Sequence, residues 1–125
     1  MPLSSLTADN KNLGFIDVTV TGINTSKTNW AAAIATQNTG TIESCYVKGT
    51  VSGAYKSAGI CAHNFGTIKN CYAIVNLSAK VECGEIASVS EAGSLIDSCY
   101  AIPQVHSDVN NTGGISAYAY TGATI

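Results

Sequence analysis

The chain has 125 residues, a net charge of −2 and 11% charged side chains, about half the usual share; it is long enough for one domain and too poor in charge to clamp nucleic acid. All six basic residues are lysines, and Lys11, Lys27, Lys48, Lys56, Lys69 and Lys80 are scattered rather than clustered. No apolar run reaches the length of a transmembrane helix, residues 1–7 lack the basic start and apolar stretch of a signal peptide, and an apolar share of 46% suffices for a continuous core.

Thr, Ser, Ala, Ile, Val, Gly and Asn dominate, while the helix formers Leu, Glu, Arg and Gln are scarce, which favours strands and tight turns. In chain order, residues 1–13 are polar and read as an irregular N-terminal stretch. From Gly14 the residues alternate: Gly14, Ile16, Val18 and Val20 make a small apolar face, with Phe15, Asp17 and Thr19 opposite. Val20-Thr21-Gly22 parallels Val51-Ser52-Gly53, so this is a partial first unit of a repeat. Only Asn29 to Ala35 hints at helical periodicity. Its core, Ala31–Ala35, aligns with Ser57–Cys61, so strand is expected there.

The repeat is clearest at Cys45-Tyr46, Cys71-Tyr72 and Cys99-Tyr100, spaced by 26 and 28 residues. Ile42, Ile68 and Ile96 stand three residues before each cysteine, and a second isoleucine recurs upstream at Ile34, Ile60, Ile86 and Ile115. The distance between the two isoleucines is 8 residues in the first two units and 10 in the last two, Ile86 to Ile96 and Ile115 to Ile125. Neighbouring units therefore share an insertion, and Gly93-Ser94-Leu95-Ile96 itself has one residue more than Gly66-Thr67-Ile68. Asn38 and Asn64 stand four residues before the first two isoleucines; in the third unit Glu91 or Ala92 is expected in that place. After each cysteine a dry face (Cys45, Val47, Gly49, Val51; Cys71, Ala73, Val75, Leu77; Cys99, Ala101, Pro103, Val105) alternates with a wetter one led by Tyr46, Tyr72 and Tyr100.

These patterns predict an all-β fold, a parallel β-helix or solenoid of about 26–28 residues per coil and roughly four coils, three short strands to a coil. The usual crossover rule makes it right-handed. Residues 1–125 form one solenoid segment, with coils over 14–125. At Ile125 the register calls for another Cys-Tyr three residues on, and no polar capping unit is visible. The expectation is a segment of a longer chain or assembly, with further repeats, another domain or an identical copy covering its ends.

The run Gly59-Ile60-Cys61-Ala62-His63-Asn64-Phe65-Gly66-Thr67-Ile68-Lys69-Asn70-Cys71-Tyr72-Ala73 resembles the GLUG motif, roughly Gly-Leu-Val-Gly-x-Asn-x-Gly-x-Ile-x-x-Cys-Tyr-Ala. The resemblance covers residues 31 to 125 and is best in the second unit, although Ala62 stands where the motif has its second glycine. GLUG repeats occur in bacterial surface and secreted proteins, among them immunoglobulin-A-cleaving metallopeptidases and adhesin-like proteins. The resemblance thus implies a β-solenoid on an extracellular or cell-surface protein; in the peptidases the chemistry lies in a separate domain, so no activity follows from it.

Each candidate site has a structural reading beside it. The column Cys45, Cys71, Cys99 is expected to be buried thiols acting as small hydrophobes, since a one-dimensional ladder does not supply four converging zinc ligands; Cys61 and Cys83 fall elsewhere and do not meet. Tyr46, Tyr72 and Tyr100 should stack on the sheet surface, where an exposed strip would also suit a glycan or protein ligand, with Tyr118 and Tyr120 apart. Asn38 and Asn64 should stack at a turn and join their amides along the axis. His63 and His106 read as surface residues, and neither sits in a His-Glu-x-x-His pattern. Glu43, Lys69 and Asp97 share one coil position as a charge-alternating stripe, and Glu82 and Glu85 read as turn residues beside Cys83-Gly84. Thr41, Thr67 and Thr124 make a column that Ser94-Leu95 interrupts, against an ice-binding array. Asn24, Asn76 and Asn110 head formal glycosylation sequons. No catalytic, cofactor or metal set assembles. A non-catalytic structural or adhesive module, able to stack end to end, is the leading expectation; an accessory segment of a secreted peptidase or glycan-cleaving β-helix is the alternative.

Overall fold

The computed structural model describes residues 10–11, 14–21, 30–102, 104–107 and 111–125. Every element among them is a strand. The N-terminal part of the stack contributes β1 (Asn10–Lys11), β2 (Gly14–Thr21) and β3 (Trp30–Ala32). The first full turn is β4 (Ala35–Asn38), β5 (Thr41–Glu43) and β6 (Tyr46–Ala58); the second is β7 (Cys61–Asn64), β8 (Thr67–Lys69) and β9 (Tyr72–Gly84). The third holds β10 (Ala87–Ser90), β11 (Leu95–Asp97), β12 (Tyr100–Ala101), β13 (Gln104–Ser107) and β14 (Asn111–Gly113), and β15 (Ser116–Ala119) begins another. Neighbouring turns pair in parallel, giving three sheets: β1-β5-β8-β11, β4-β7-β10-β15, and a third in which β2 and β3 flank β6, β6 flanks β9, and β12 to β14 flank β9. The predicted β-solenoid is present, with about three turns among the described residues where roughly four were expected.

The sequence columns are the structural columns. Ile42, Ile68 and Ile96 pair in register and are buried, and Ile34, Ile60 and Ile86 fill the core beside them with Ile115 partly buried against it. Burying each such side chain contributes about 1.5–3 kcal/mol. Ala31 and Ala35 pair with Ser57 and Cys61, so the alanine-rich stretch is strand, broken only by a bend. Asn10 and Lys11, within the stretch expected to be irregular, add a short strand beside Ile42 and Glu43.

Corners explain what the repeat spacing hides. The residue before each ladder cysteine turns left-handed, with φ of 55° at Ser44 and 53° at Asn70 and Ser98. Such a conformation strains most side chains, and short polar ones tolerate it best. The shared insertion is a second corner. Ser94 N–H bonds to Glu91 C=O and Ala123 N–H to Tyr120 C=O, each at 3.0 Å, around Gly93 (φ +82°) and Gly122 (φ +97°). Glycine in the third place with positive φ is the mark of a type II turn. This corrects the expected alignment of the third unit. Ser90, not Glu91 or Ala92, lies beside Asn64, and Leu95 lies beside Thr67, so four residues replace two at this corner.

Two other expectations change. Glu82 lies inside β9 rather than in a turn, and Glu85 is fully buried at the corner between β9 and β10. His63 is not a plain surface residue, because only 15% of its side chain is exposed and aromatic rings enclose it. The facing of Phe15, Ile16, Asp17, Val18, Pro103, Val105 and His106, and the sequons at Asn24 and Asn110, lie outside what is described; Asn76 is exposed on β9.

Candidate functional site

On the outer face of the third sheet, Tyr46 and Tyr72 stack with ring centroids 5.1 Å apart at 7°, and Tyr72 and Tyr100 at 4.9 Å and 8°. Parallel pairing in register produces this, because equivalent side chains project side by side at the inter-strand spacing. In the first turn Gly14 takes the column position, and any side chain there would collide with the Tyr46 ring. The ladder has a chemical consequence. Its ring faces are covered by each other, so the strip presents edges and hydroxyls, while a sugar stacks on ring faces. Tyr100 is the exposed member, beside exposed Ile102; Tyr118 and Tyr120 form a separate edge-to-face pair, 5.0 Å apart.

Inside, the two predicted polar columns are knit together. Asn38 Nδ2 donates to Asn64 Oδ1 at 2.9 Å and to Thr67 C=O at 3.3 Å, while each Oδ1 accepts the backbone N–H two residues on, from Gly40 at 3.0 Å and Gly66 at 3.2 Å. Asn64 Nδ2 finds Gly66 C=O at 3.2 Å. The five cysteines are thiols. Each ladder thiol donates to the carbonyl two residues back across the left-handed corner: Cys45 to Glu43 and Cys71 to Lys69 at 3.2 Å, Cys99 to Asp97 at 3.3 Å. Contacts with the Cys45 and Cys99 thiols, then burial, raise the Cys71 pKa, whereas the Cys71 S–H lowers that of Cys99, which is only half-buried. Cys61 and Cys83 stand in other columns, beside Ala35 and Ala87 and beside Ser57 and Thr112. Burial pushes the Cys61 thiol up to about 12.

On the second outer column Glu43, Lys69 and Asp97 follow one another in register, and Lys11 holds the backbone register position beside Glu43; Lys69 Nζ lies 3.9 Å from Glu43 Oε1. The threonine column runs Thr41, Thr67, Leu95, Thr124, interrupted as expected.

A further cluster was not anticipated. Where β3, β6 and β9 end and β7 begins, Ala32, Ala58 and Ala62 form a second small apolar floor, with Trp30 packed on it. Trp30, Lys56 and Glu82 occupy one column: the Lys56 ammonium sits 5.8 Å from the indole centroid and 3.0 Å from Glu82 Oε2. The His63 ring meets Trp30 edge-on at 4.8 Å, stacks on Phe65 at 4.7 Å, and bonds through Nε2 to Glu91 Oε1. A spacing of 26 joins Trp30, Lys56 and Glu82 in the sequence, so extending the repeat to this column would have found them. Lys56 is thus matched to the Glu82 carboxylate, and the His63 ring to Glu91. That arrangement holds the surface of the corner together rather than leaving a base or acid poised for a substrate.

Glu85 is the interior carboxyl group of this core. It is fully buried; Oε1 accepts the Val75 N–H, and Oε2 has no hydrogen-bond partner. Burial raises its pKa from 4.5 to about 7, against the opposing pull of the Val75 bond. Among the described residues no three His, Cys, Asp or Glu side chains converge to hold a metal ion.

Comparison with protein-family models, with curated proteins and with solved structures finds no match for this chain.

Proposed function

We propose that the chain is a non-catalytic structural module, a β-solenoid segment of a larger extracellular or cell-surface protein of the GLUG-like kind, in which the stack itself is the working part. One observation carries this reading: the repeated polar and aromatic residues are spent on one another along the axis, as the Asn38–Asn64 amide bond and the Tyr46–Tyr72–Tyr100 stack exemplify. Residues that a catalytic groove would display are instead linked between turns. The module serves as a stiff spacer or adhesive stalk. Its natural partners are other parallel coils, from further repeats, another domain or an identical copy.

The last turn supports this choice of partner. Large apolar side chains are exposed there at Tyr100, Ile102, Tyr118, Tyr120 and Ile125, whereas in the second turn Phe65 alone is exposed to that degree among the described residues. Exposed apolar side chains on parallel strands suit contact with a further coil. The covered ring faces of the tyrosine ladder favour a protein surface over a stacked sugar at that strip. Sedimentation of the 125-residue chain across concentration, with electron microscopy of the heaviest fraction, tests the reading. Concentration-dependent, axially growing assemblies that shrink on Tyr118→Lys are the expected result. A dilute, indefinitely stable monomer that hydrolyses polysaccharide or peptide would replace the structural reading with an enzymatic one.

A further inference from the structure

Immediately before the isoleucine column Ile34, Ile60, Ile86, Ile115, the sequence has Ala33, Gly59, Glu85 and Gly114. Three turns keep this position small; one fills it with a carboxylic acid. The backbone confirms the alignment, since Ala33 N–H bonds to Gly59 C=O and Gly59 N–H to Glu85 C=O, at 3.1 and 2.9 Å. No side chain would fit at Gly59, because its Cβ would strike the Glu85 carbonyl. The Glu85 side chain therefore sits against tightly packed backbone, its carboxyl group out of reach of water.

A buried carboxylate survives only with a cation or a full set of donors. Glu85 has one donor, the Val75 N–H, and an unpartnered Oε2. Among the described side chains, the elements around this corner offer nothing more. Of their polar groups, Lys56 on β6 is held by Glu82 on β9, His63 on β7 is bonded to Glu91 beyond β10, and Lys80 on β9 is exposed. The other titratable groups of this core cluster are the thiols Cys45, Cys61, Cys71 and Cys83, with Cys99 packed against it, none of which supplies a positive charge. From the last turn, the described residues 113–116 (Gly-Gly-Ile-Ser) bring no charge at all. A neutral acid with one idle hydroxyl is far cheaper to bury than an unpaired anion.

We propose that Glu85 is a proton-operated latch at the corner between β9 and β10: as the neutral acid it lets the second and third turns close on each other, and as the carboxylate it forces that corner to loosen and admit water. The direction follows from linkage. With the folded-state pKa raised from 4.5 to about 7, the folded chain binds the proton more tightly than the unfolded one. The stabilisation is complete below pH 4.5, declines as the pH rises, and is lost above about 7. The solenoid is thus firmest in acidic surroundings and most easily opened at this corner in neutral or basic ones.

The test uses the full chain and two variants, Glu85→Gln and Glu85→Gly. Gln keeps an acceptor for Val75 without titrating; Gly restores the residue found at the neighbouring positions 59 and 114. The melting temperature of the wild type should fall steadily between pH 4.5 and 8, while the difference between wild type and either variant changes in that window and is flat outside it. In carboxyl-13C spectra of the wild type, one glutamate signal should titrate near pH 7 and be absent from both variants. Equal pH slopes in all three proteins, or a set of wild-type glutamates that all titrate below pH 5, overturns the latch. Should Gln fail to fold, Gly and the wild-type spectra decide the matter on their own.

Discussion

Two polar devices lie buried in this core, and they are built on opposite principles. At the corner after β4 and β7, Asn38 and Asn64 are both fully buried, and their side-chain atoms bond to each other and to the adjoining turns. At the corner after β9, Glu85 is equally buried with one bond and an idle oxygen. The asparagine works because its neighbour one turn away is also asparagine: the amide is donor and acceptor at once, so a column of amides satisfies itself. A carboxylate is acceptor only, and Glu85 has Gly59 above and Gly114 below. Repetition turns a polar residue into a stabiliser here, and a single polar residue in a small-residue column becomes a titratable weak point.

The largest effect that would break this comparison is at Asn64. Asn64→Ala removes the acceptor of one Asn38 amide hydrogen and one of the two acceptors of the Gly66 N–H, which keeps its bond to the Asn38 carbonyl while Asn38 Nδ2 keeps Thr67 C=O. At about 1–3 kcal/mol for the one buried amide hydrogen left unpaired, the expected loss is about 2 kcal/mol in urea unfolding. A loss under about 1 kcal/mol would show that the corner holds without its amide column.

Next comes Glu85→Gln, read as a crossing rather than a simple loss. At pH 8 the wild type carries the burden of an ionised or displaced Glu85, and the variant should be the more stable, by about 1–2 kcal/mol. At pH 4 the wild-type acid is neutral and its folded-state proton is fully bound, so the advantage should disappear or reverse. Chemical denaturation at the two pH values measures it. A variant less stable at both would mean that the glutamate is a satisfied core residue and not a latch.

The two corners were not equally legible in the sequence. Asn38 and Asn64 announce themselves because they recur at fixed spacing and precede the Gly-x-Ile turn; so do the isoleucine, cysteine and tyrosine columns. A carboxylate beside Cys83-Gly84 has every local sign of an exposed turn residue, and only the three-dimensional column shows Glu85 enclosed. The same blindness affected Trp30, Lys56 and Glu82, which differ in chemistry although they share a column. A search for identical residues finds columns of like with like and passes over columns of complementary charge. The type II turns at Gly93 and Gly122 were hidden for another reason. A two-residue insertion shifts the local alignment, so Glu91 was matched to Asn64 where Ser90 belongs.

A smaller effect is expected at the thiol column. The Cys71 Sγ bridges the carbonyl of Lys69 within its own turn and approaches that of Ile42 in the turn before, at 3.2 and 3.6 Å. Thiols are weak donors, so Cys71→Ala should cost about 1–2 kcal/mol, mostly for the small void. Serine retains a donor for the Lys69 carbonyl and should cost no more than alanine. In the native state Cys99 should react with a thiol reagent well before Cys45 and Cys71, because it alone of the three is half-exposed and its pKa is lowered. Equal labelling of all three would show that the column opens as a unit.

The smallest predicted change isolates backbone from side chain. Asn70 is exposed at its left-handed corner, φ 53°, and its N–H already bonds to the Asp97 carbonyl at 3.0 Å. The corner therefore asks for a conformation and not for an amide side chain. This is the opposite of Asn64, six residues earlier, where the amide is the point. Asn70→Gly relieves the steric cost of the left-handed turn and loosens the unfolded chain, two terms of similar size and opposite sign, so stability should move by less than about 0.5 kcal/mol. Asn70→Val keeps a side chain but places a β-branched one where it is least tolerated, and should cost about 1–2 kcal/mol. Thermal unfolding of the two variants side by side measures the contrast. Equal losses for Gly and Val would mean that the Asn70 side chain holds this corner as Asn64 holds the other, and the distinction between exposed corners set by conformation and buried corners set by hydrogen bonding would fall.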